Sequence, residues 1–282
     1  MKTCLFIIIF LISCTWFSDI QEPSGFIQVK GSDTLVNAAQ KLAEEFMKEY
    51  PYIFVAVTGG GSGVGIASLI NKTTDIATAS RRIKDKEKKI AKKWKVIPYE
   101  IIIGFDGVAI IVNKKNPIEK LTIRQLHDIY TGKIKNWNQL GGYDSSIVAL
   151  SREVSSGTHI YFKERVVQLD KRENKEEFSS DVLLLSSNQA IVEEVASNPQ
   201  AIGYVGMGYL SPRVKALAIS DRGDYFLPTP QNVIEKKYPL SRPLFMYTNG
   251  EPRGIVKIFI DFVLNEKGQK QVEEVGFVPL EK

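Results

Sequence analysis

The chain has 282 residues, of which 44% are hydrophobic and 24% charged, and its formal net charge is +5. This length allows one large or two medium domains with substantial cores, and the ordinary composition excludes a disordered or fibrous protein. The positive charges are spread along the chain, except for a lysine-rich segment from Lys84 to Lys95. We interpret that segment as a solvated helix face rather than a nucleic-acid groove, because aromatic residues do not interleave with its lysines.

The N-terminus is predicted to be a targeting segment. Lys2 is followed by an apolar core, Leu5 to Ile12, which is too short to span a bilayer as a helix. The core ends in Leu11-Ile12-Ser13-Cys14, which resembles the lipobox of bacterial lipoproteins. This resemblance implies a signal peptide over residues 1–13 and a lipid on the sulfur of Cys14. An ordinary secretory signal with a chance cysteine is the alternative.

The two cysteines of the chain are both accounted for by this segment. Cys4 lies in the predicted signal peptide, and Cys14 would carry the lipid. The mature chain would then keep no thiol for a disulfide or a cysteine-ligated metal site. Residues 14–25, with Pro23, Ser24 and Gly25, are predicted to form a lipid-anchored tether.

Beyond the tether, short apolar runs alternate with amphipathic segments, which predicts an α/β fold. The predicted strands are Phe26–Val29, Ile53–Val57, Ile76–Ala79, Gly107–Val112 after a turn-rich approach, Ile147–Leu150 and Ala201–Val205. The predicted helices are Val36–Tyr50, a short one through Ile66 and Ile70, Lys84–Lys95, Leu121–Tyr130, one from about Thr158, Ser187–Ala196, Ile255–Asn265 and Lys267–Val275.

This pattern predicts two α/β lobes. Lobe 1 comprises residues 26–112 plus 243–282, and lobe 2 comprises residues 113–242. The chain therefore crosses between the lobes twice, near Asn113 and near Arg242. A hinge of two crossings suits closure of a cleft around a ligand.

Three loops between a strand and a helix carry groups that bind anions. They are Gly31-Ser32-Asp33-Thr34-Leu35, the glycine loop Gly59–Gly63 with Ser62, and Arg152 with Ser156-Gly157-Thr158. Helix N-termini offer free backbone N–H groups, hydroxyls add donors, and a guanidinium can grip two oxyanion oxygens. Helix capping alone is the alternative for each loop. Because open α/β sheets bind ligands at the carboxyl ends of their strands, we expect the three loops to share one cleft.

The glycine loop matches neither of two better-known motifs. It is not a Walker A loop, since no Gly-Lys-Ser/Thr follows it. It is not a nucleophile elbow either, because Val64 stands where that motif has its closing glycine.

Taken together, these motifs resemble the phosphate-binding component of the bacterial ABC-type phosphate importer, which has a type II periplasmic-binding-protein fold. The motifs are the three loops above, Asp75–Arg81, Ile129–Ile134 with Trp137, and Ala201–Val205. The resemblance implies a monomeric, extracytoplasmic lipoprotein, in the periplasm or on the cell surface, that hands phosphate to a permease and an ATPase. It implies no cofactor, no metal, no nucleic acid and no membrane contact besides the anchor.

The same resemblance implies the ligand set. Phosphate would be held by Thr34 and the backbone N–H of Leu35 in the first loop, by Ser62 in the glycine loop, and by four residues of lobe 2. These four are Arg152, Ser156, Gly157 and Thr158.

One departure from the family pattern concerns the acceptor for the phosphate proton. Some members have an aspartate after the third strand, where this chain has Ser80 followed by Arg81 and Arg82. We expect Asp106 to replace that aspartate, while a turn role before Gly107 is its alternative. Ser80 is a candidate extra donor. Either arginine could contact the anion, although a surface position is the commoner role.

Three other functions are weighed against phosphate transport. A phosphatase would need a base, and the only histidines are His127, interpreted as surface or packing, and His159, which could approach the anion. A surface interaction lipoprotein could keep the fold without the ligand. Sulfate, molybdate or a phosphonate could replace phosphate. The aromatic residues are interpreted as core or lobe packing, namely Trp94, Trp137, Tyr204 and Tyr209.

Overall fold

A computed structural model describes residues 22–171 and 173–280. The predicted signal peptide, Cys14 and most of the tether lie outside these residues. The strands are Gly25–Gly31 (β1), Ile53–Thr58 (β2), Ile76–Ala79 (β3), Pro98–Asn113 (β4), Lys120–Thr122 (β5), Val148–Arg152 (β6), Leu183–Leu185 (β7), Ala201–Gly206 (β8), Val214–Ala216 (β9), Ala218–Ser220 (β10) and Ser241–Asn249 (β11).

The helices alternate with these strands, as the sequence periodicity predicts. They are Val36–Glu49 (α1), Ser62–Ile70 (α2), Asp85–Lys93 (α3), Ile123–Tyr130 (α4), Gly157–Phe162 (α5), Asn188–Ser197 (α6), Pro230–Ile234 (α7), Gly254–Leu264 (α8) and Glu266–Glu274 (α9). Helix α5 continues into a π-helical turn, Lys163–Val167, and short 3-10 turns cover Asp33–Leu35, Trp137–Leu140 and Met207–Tyr209.

One sheet runs through the molecule in the order β2-β1-β3-β11-β4-β8-β6-β7, and β9 pairs with β4 beside it. Strands β1, β2 and β3 are parallel, as are β6, β7 and β8, whereas β11 runs antiparallel to both β3 and β4. Strands β5 and β10 form a separate parallel pair. The parallel strands of both halves place loops and helix starts at their carboxyl ends.

Strand β4 joins the two halves of the sheet. Its first part, residues 98–107, pairs with β11, and its last part, residues 108–113, pairs with β8 and β9. The prediction of a turn-rich approach to a strand beginning at Gly107 is therefore wrong, since the strand is continuous for 16 residues. The partner strand changes at Gly107 and Val108, earlier than the predicted crossing at Asn113. The lobe boundaries themselves stay a prediction.

The glycine at position 104 explains why this strand is hard to predict. Gly104 has φ +154° and sits where the pairing of β4 with β11 shifts register between Leu244 and Phe245. A β-carbon there would lie 2.7 Å from the carbonyl oxygen of Val278. Glycine marks an irregularity within the strand and not its start.

The core lies on both faces of this sheet. In lobe 1, Phe46 of α1 packs edge-on against Phe259 and Phe262 of α8, with ring centroids 5.0 and 5.4 Å away. In lobe 2, Phe162 stacks on Tyr204 at 3.9 Å. These contacts fix the ends of the strands that carry the polar loops.

The aromatic predictions are confirmed in part. Trp137 and Tyr204 are buried, and Tyr209 is half-buried. Trp94 is 57% exposed, so the packing interpretation of that residue is wrong. It follows the last residue of α3, where the helix ends among lysines instead of meeting the core.

Candidate anion-binding site

The polar loops of both lobes meet at the carboxyl ends of β1, β3 and β6, as expected for an open α/β sheet. The hydroxyl oxygens of Thr34 in lobe 1 and Thr158 in lobe 2 are hydrogen-bonded at 2.7 Å. Both side chains are buried, with exposures of 2% and 0%. The two threonines predicted as phosphate ligands, 124 positions apart in the chain, are therefore in direct contact.

Two serines complete the lobe 1 side of this cluster. The backbone N–H of Ser80 donates to Oγ of Ser62 at 3.0 Å, and their hydroxyl oxygens are 3.4 Å apart. Gly157 of lobe 2 lies against them so closely that a β-carbon on it would be 2.2 Å from Oγ of Ser62. The structure thus brings Ser62, Ser80 and Gly157 together with the threonine pair.

The hydroxyl of Ser156 caps α5 in this structure. Its oxygen accepts hydrogen bonds from the backbone N–H groups of Thr158 and His159, at 3.2 and 3.4 Å. Ser156 therefore caps α5, its O–H stays free to donate, and its role as a phosphate ligand stays a prediction. The N–H of Leu35 donates to the carbonyl of Ser32 at 3.0 Å, in the 3-10 turn that precedes α1.

Asp106 lies within β4 and not in a turn, so the turn alternative is wrong. Its carboxylate is fully buried, and Oδ2 accepts two hydrogen bonds from the guanidinium of Arg242, at 2.9 and 2.7 Å. Its other oxygen, Oδ1, accepts the backbone N–H of Met207 at 2.9 Å. These bonds use three of the roughly four lone-pair sites of the carboxylate, so one site on Oδ1 is left to accept a further hydrogen bond.

Arg242 is the functional residue that the sequence analysis missed. It is 3% exposed, donates through Nη2 to Oγ1 of Thr158 at 2.9 Å, and donates through Nη1 to the carbonyl of Ser80 at 3.0 Å. It thereby joins Asp106 to the hydroxyl cluster of both lobes. The only signal in the sequence is an arginine beside Pro243 in an otherwise apolar run, at the predicted second crossing between the lobes.

Arg152, the residue predicted to neutralise the anion, is fully buried, but its guanidinium contacts groups outside the hydroxyl cluster. Its Nη1 lies 3.2 Å from Oδ2 of Asp33, and its Nη2 donates to the carbonyl of Ser186 at 2.9 Å and to Glu153 at 3.2 Å. Nη1 has no hydrogen-bond partner of good geometry. In this structure the cation that bonds the hydroxyl cluster is Arg242, and a direct anion contact by Arg152 stays a prediction.

Asp33 holds the two lobes together beside the cluster. Its Oδ2 accepts the backbone N–H and the side-chain amide of Asn188, at 3.0 and 2.9 Å, and its carbonyl accepts the hydroxyl of Tyr209 at 2.7 Å. The sequence places Asp33 in the first anion-binding loop, with helix capping as the alternative. Its carboxylate is instead a clamp between lobe 1 and lobe 2.

A second interlobe contact joins the glycine loop to the loop before α5. The N–H of Gly63 donates to the carbonyl of Ser155 at 3.0 Å, and Oγ of Ser155 donates to the carbonyl of Gly60 at 3.2 Å. Gly61 has φ +96°, and a β-carbon there would meet the Ser155 carbonyl oxygen at 2.8 Å. The glycines of this loop therefore permit a close approach of backbone to backbone.

The neighbouring arginines have partners outside the cluster. Arg81 forms a bidentate ion pair with Glu87, with contacts of 2.9 and 2.7 Å. Arg82 is exposed and pairs with Glu100 at 3.3 Å. The surface interpretation fits Arg82, while Arg81 is buried.

The rings of both histidines contact groups outside the hydroxyl cluster. Nδ1 of His159 is 3.1 Å from Oγ of Ser151, its ring is 4.8 Å from that of Phe178, and burial lowers its pKa to about 4, so it is neutral near pH 7. His127 is buried with Nδ1 3.0 Å from the carbonyl of Val167, as a packing residue would be.

The chemistry of the cluster suits an oxyanion that carries a proton. Buried hydroxyls and a guanidinium stabilise negative charge. The carboxylate beside them can accept a hydrogen bond from an oxygen that carries a proton. Among residues 22–171 and 173–280, no group of three histidine, cysteine or acidic side chains could hold a metal ion. In the same part of the chain, no helix is long and apolar enough to cross a membrane.

Comparisons with known proteins identify the family of this chain. A model of the PBP superfamily domain matches residues 19–267. The phosphate-binding protein PstS of Staphylococcus saprophyticus is 36% identical over 275 residues, covering 94% of this chain and 83% of its own length.

Solved structures of phosphate-transport proteins are also similar to this chain. A phosphate ABC transporter substrate-binding protein with bound phosphate from Clostridium perfringens superposes with a TM-score of 0.82 at 33% identity, covering 91% of this chain and all of that one. An ABC-type phosphate transport receptor from Vibrio cholerae gives 0.73 at 32% identity, covering 90% of this chain and all of its own. The chain therefore has the two-lobed periplasmic-binding-protein fold and belongs to the PBP superfamily and, within it, to the family of the PstS phosphate-binding proteins.

Proposed function

We propose that this protein binds inorganic phosphate between its two lobes outside the cytoplasmic membrane and delivers it to an ABC importer. The observation that carries the proposal is the meeting of buried hydroxyls from both lobes beside the Asp106–Arg242 pair. The two lobes must come together to enclose the ligand, as a substrate-binding protein requires. The protein acts as a carrier and catalyses no reaction.

The proposed ligand set follows the cluster. Hydroxyl groups donate to the phosphate oxygens, as do backbone N–H groups of the loops. The set comprises Thr34, Leu35, Ser62, Ser80, Asp106, Arg152, Ser156, Gly157 and Thr158, with Arg242 added from the structure. A micromolar Kd corresponds to only about −8 kcal/mol, which several charge-assisted hydrogen bonds can supply after ordering costs.

The proposed location follows from the N-terminal motif. Cleavage before Cys14 and lipidation of its sulfur would anchor the protein on the outer side of the cytoplasmic membrane. The protein acts there as a monomer, and a permease and an ATPase take over the phosphate. Two acyl chains are enough for stable anchoring.

Isothermal titration with phosphate and with sulfate tests the proposed function. We expect one phosphate per chain with a Kd in the micromolar range or tighter, and at least 100-fold weaker binding of sulfate. Heat only with sulfate, molybdate or a phosphonate would assign the site to another oxyanion. Absence of heat with every oxyanion would reject transport and leave the surface-lipoprotein function.

The Asp106→Asn variant tests the basis of selectivity. At neutral pH phosphate keeps a proton that a carboxylate can accept, whereas sulfate presents only lone pairs to it. We expect the ratio of phosphate to sulfate affinity to fall at least ~10-fold, which corresponds to about 1.4 kcal/mol. The titrations above, repeated on this variant, measure the ratio. An unchanged ratio would show that Asp106 supports the fold through Arg242 without selecting the ligand.

A further inference from the structure

The lysine-rich helix α3 and its flanks carry a charge as large as that of the whole protein. Residues 84–95 contain seven lysines against Asp85 and Glu87, a net charge of +5, and the full chain also has +5. Glu87 is engaged by Arg81. Everything outside this segment is therefore electrically balanced, and the positive field of the protein is concentrated on one side.

Most of these lysines are exposed and have no counter-charge. Among the residues that the structure describes, none of the following forms an ion pair: Lys86, Lys88, Lys89, Lys92, Lys93 and Lys95. An ordinary solvated helix face mixes both signs at i,i+4 spacing, as Lys257 and Asp261 do on α8. On α3 only the exposed Asp85 offsets the lysines, because Glu87 is engaged by Arg81, and the resulting positive excess favours a polyanionic partner.

Large apolar side chains stand among these lysines, and Trp94 lies between Lys93 and Lys95, so the expectation that no aromatic residue interleaves with them is wrong. Ile90 is 48% exposed, Trp94 57% and Ile97 73%, and all lie within one short stretch of chain. Exposed apolar residues grouped in this way mark an interaction surface more often than scattered ones do. Tryptophan beside lysine is the pairing found where proteins meet the headgroup layer of a bilayer.

A groove of about 530 Å³ continues this surface. Its lining includes the cationic side chains of Lys72, Lys95 and Arg253, next to Ile97, and the acidic side chains of Asp75 and Glu251. Oδ2 of Asp75 is bonded by the backbone N–H of Gln28 at 2.8 Å. The three cations form no ion pair with any described residue.

Two of these lysines occupy unfavourable backbone positions. Lys72 has φ +58° and Lys95 has φ +55°, in the left-handed region that costs a residue with a β-carbon about 1 kcal/mol. Glycine or asparagine would suit both turns better.

This surface lies at the edge of the sheet opposite to the anion site, on the side of the tether. Strand β1 begins there, and β11 ends there with Asn249 paired to Pro98. Gly25 contacts Ile255, where a β-carbon would be 2.7 Å from Cδ1, and the neighbouring Val256 lines the groove. Residues 14 to 25 span at most about 40 Å when fully extended, so a lipid on Cys14 would keep this edge near the bilayer.

We propose that this basal surface binds the anionic headgroups of the membrane to which the protein is tethered. The basal surface consists of Lys72, Lys93, Trp94, Lys95, Ile97 and Arg253. Its cations attract the headgroups, while Trp94 and Ile97 enter the interfacial layer. The proximity argument rests on the proposed lipid anchor but not on phosphate binding.

The test uses the mature chain, residues 14–282, with Cys14→Ser so that no acyl chain contributes. Sedimentation is measured with vesicles of phosphatidylcholine alone and with 30% phosphatidylglycerol, at low and at high salt. We expect binding only to the anionic vesicles, weakened by salt. Lys93→Glu/Lys95→Glu/Arg253→Glu should lower the partition coefficient at least ~10-fold, and Trp94→Ala/Ile97→Ala should lower it several-fold.

A matched variant separates the surface from net charge. Lys114→Glu/Lys115→Glu/Lys236→Glu reverses three exposed lysines elsewhere, and we expect less than a twofold change. Phosphate titration of every variant checks that the fold and the cleft are intact, independently of membrane binding. Equal binding to both vesicle types, or an equal loss in the matched variant, would overturn the proposal. Binding to an acidic polypeptide or to RNA but not to vesicles would overturn it as well.

Discussion

Gly157→Ala should weaken phosphate binding at least 100-fold, which corresponds to about 2.7 kcal/mol. In this structure, the added β-carbon would lie 2.2 Å from Oγ of Ser62 and 2.6 Å from Oγ of Ser80. It would also lie 2.9 Å from Cβ of Ser62, so rotation of the serine hydroxyl does not relieve the overlap. The two lobes can only accommodate the methyl group by staying apart.

The same substitution should leave the free protein stable. Gly157 does not need a left-handed backbone, and it is the first residue of α5, where alanine is a better helix former. We expect a change in unfolding free energy below about 1 kcal/mol without phosphate. The stabilisation that phosphate gives the parent protein should be lost, because ligand binding to the folded state raises its melting temperature.

Gly141→Ala provides the control for this experiment. Gly141 has φ +83° and no atom within 4 Å of an added β-carbon, so the substitution costs about 1 kcal/mol of backbone strain without a steric clash. We expect unchanged phosphate affinity and a small loss of stability, the reverse of the Gly157 result. Parent-like affinity in Gly157→Ala would mean that phosphate binds with the lobes further apart than in this structure.

The position of the site could be predicted from the sequence because each of its loops is a local feature. A strand, a polar turn and an amphipathic helix can be recognised within about 20 residues, and the carboxyl ends of parallel strands share one edge. Thr34, Ser62 and Thr158 were therefore expected to converge, and they do. The two-lobed α/β fold followed from the same periodicity.

The partners of the charged residues could not be predicted, because they depend on strand register across long separations. Arg242 meets Asp106 only because β11 runs antiparallel to β4 in one register, which places them as direct neighbours 136 positions apart. Asp33 likewise finds Asn188 across the cleft, 155 positions away. No local pattern distinguishes such a charge from a turn or cap residue.

Trp94 shows a different limit of sequence analysis. A large aromatic residue is usually assigned to a core, but burial depends on where its helix ends. Helix α3 ends at Lys93, and Trp94 follows on the solvent side. The same exposure makes the residue available to the basal surface.

Arg242→Met should lower the unfolding free energy of the phosphate-free protein by about 3–5 kcal/mol. The substitution keeps most of the side-chain volume but removes both hydrogen bonds to the fully buried carboxylate of Asp106. It also removes the donors to Thr158 and to the carbonyl of Ser80. A buried carboxylate without a counter-charge is among the most costly defects that a fold can carry.

The double variant Arg242→Met/Asp106→Asn separates this charge effect from lost packing. Removing both charges should recover more than about 2 kcal/mol of the loss, and urea unfolding of the four proteins measures the coupling between the two sites. Arg82→Met, which breaks the exposed pair with Glu100, should cost less than about 1 kcal/mol. If Arg242→Met lowered the unfolding free energy as little as Arg82→Met does, another cation would have to compensate the charge of Asp106. Because Arg242 lies where β11 meets β4 and also bonds Thr158 of lobe 2, a large coupling would mean that one ion pair both stabilises the hinge strands and sets the electrostatics of the anion site.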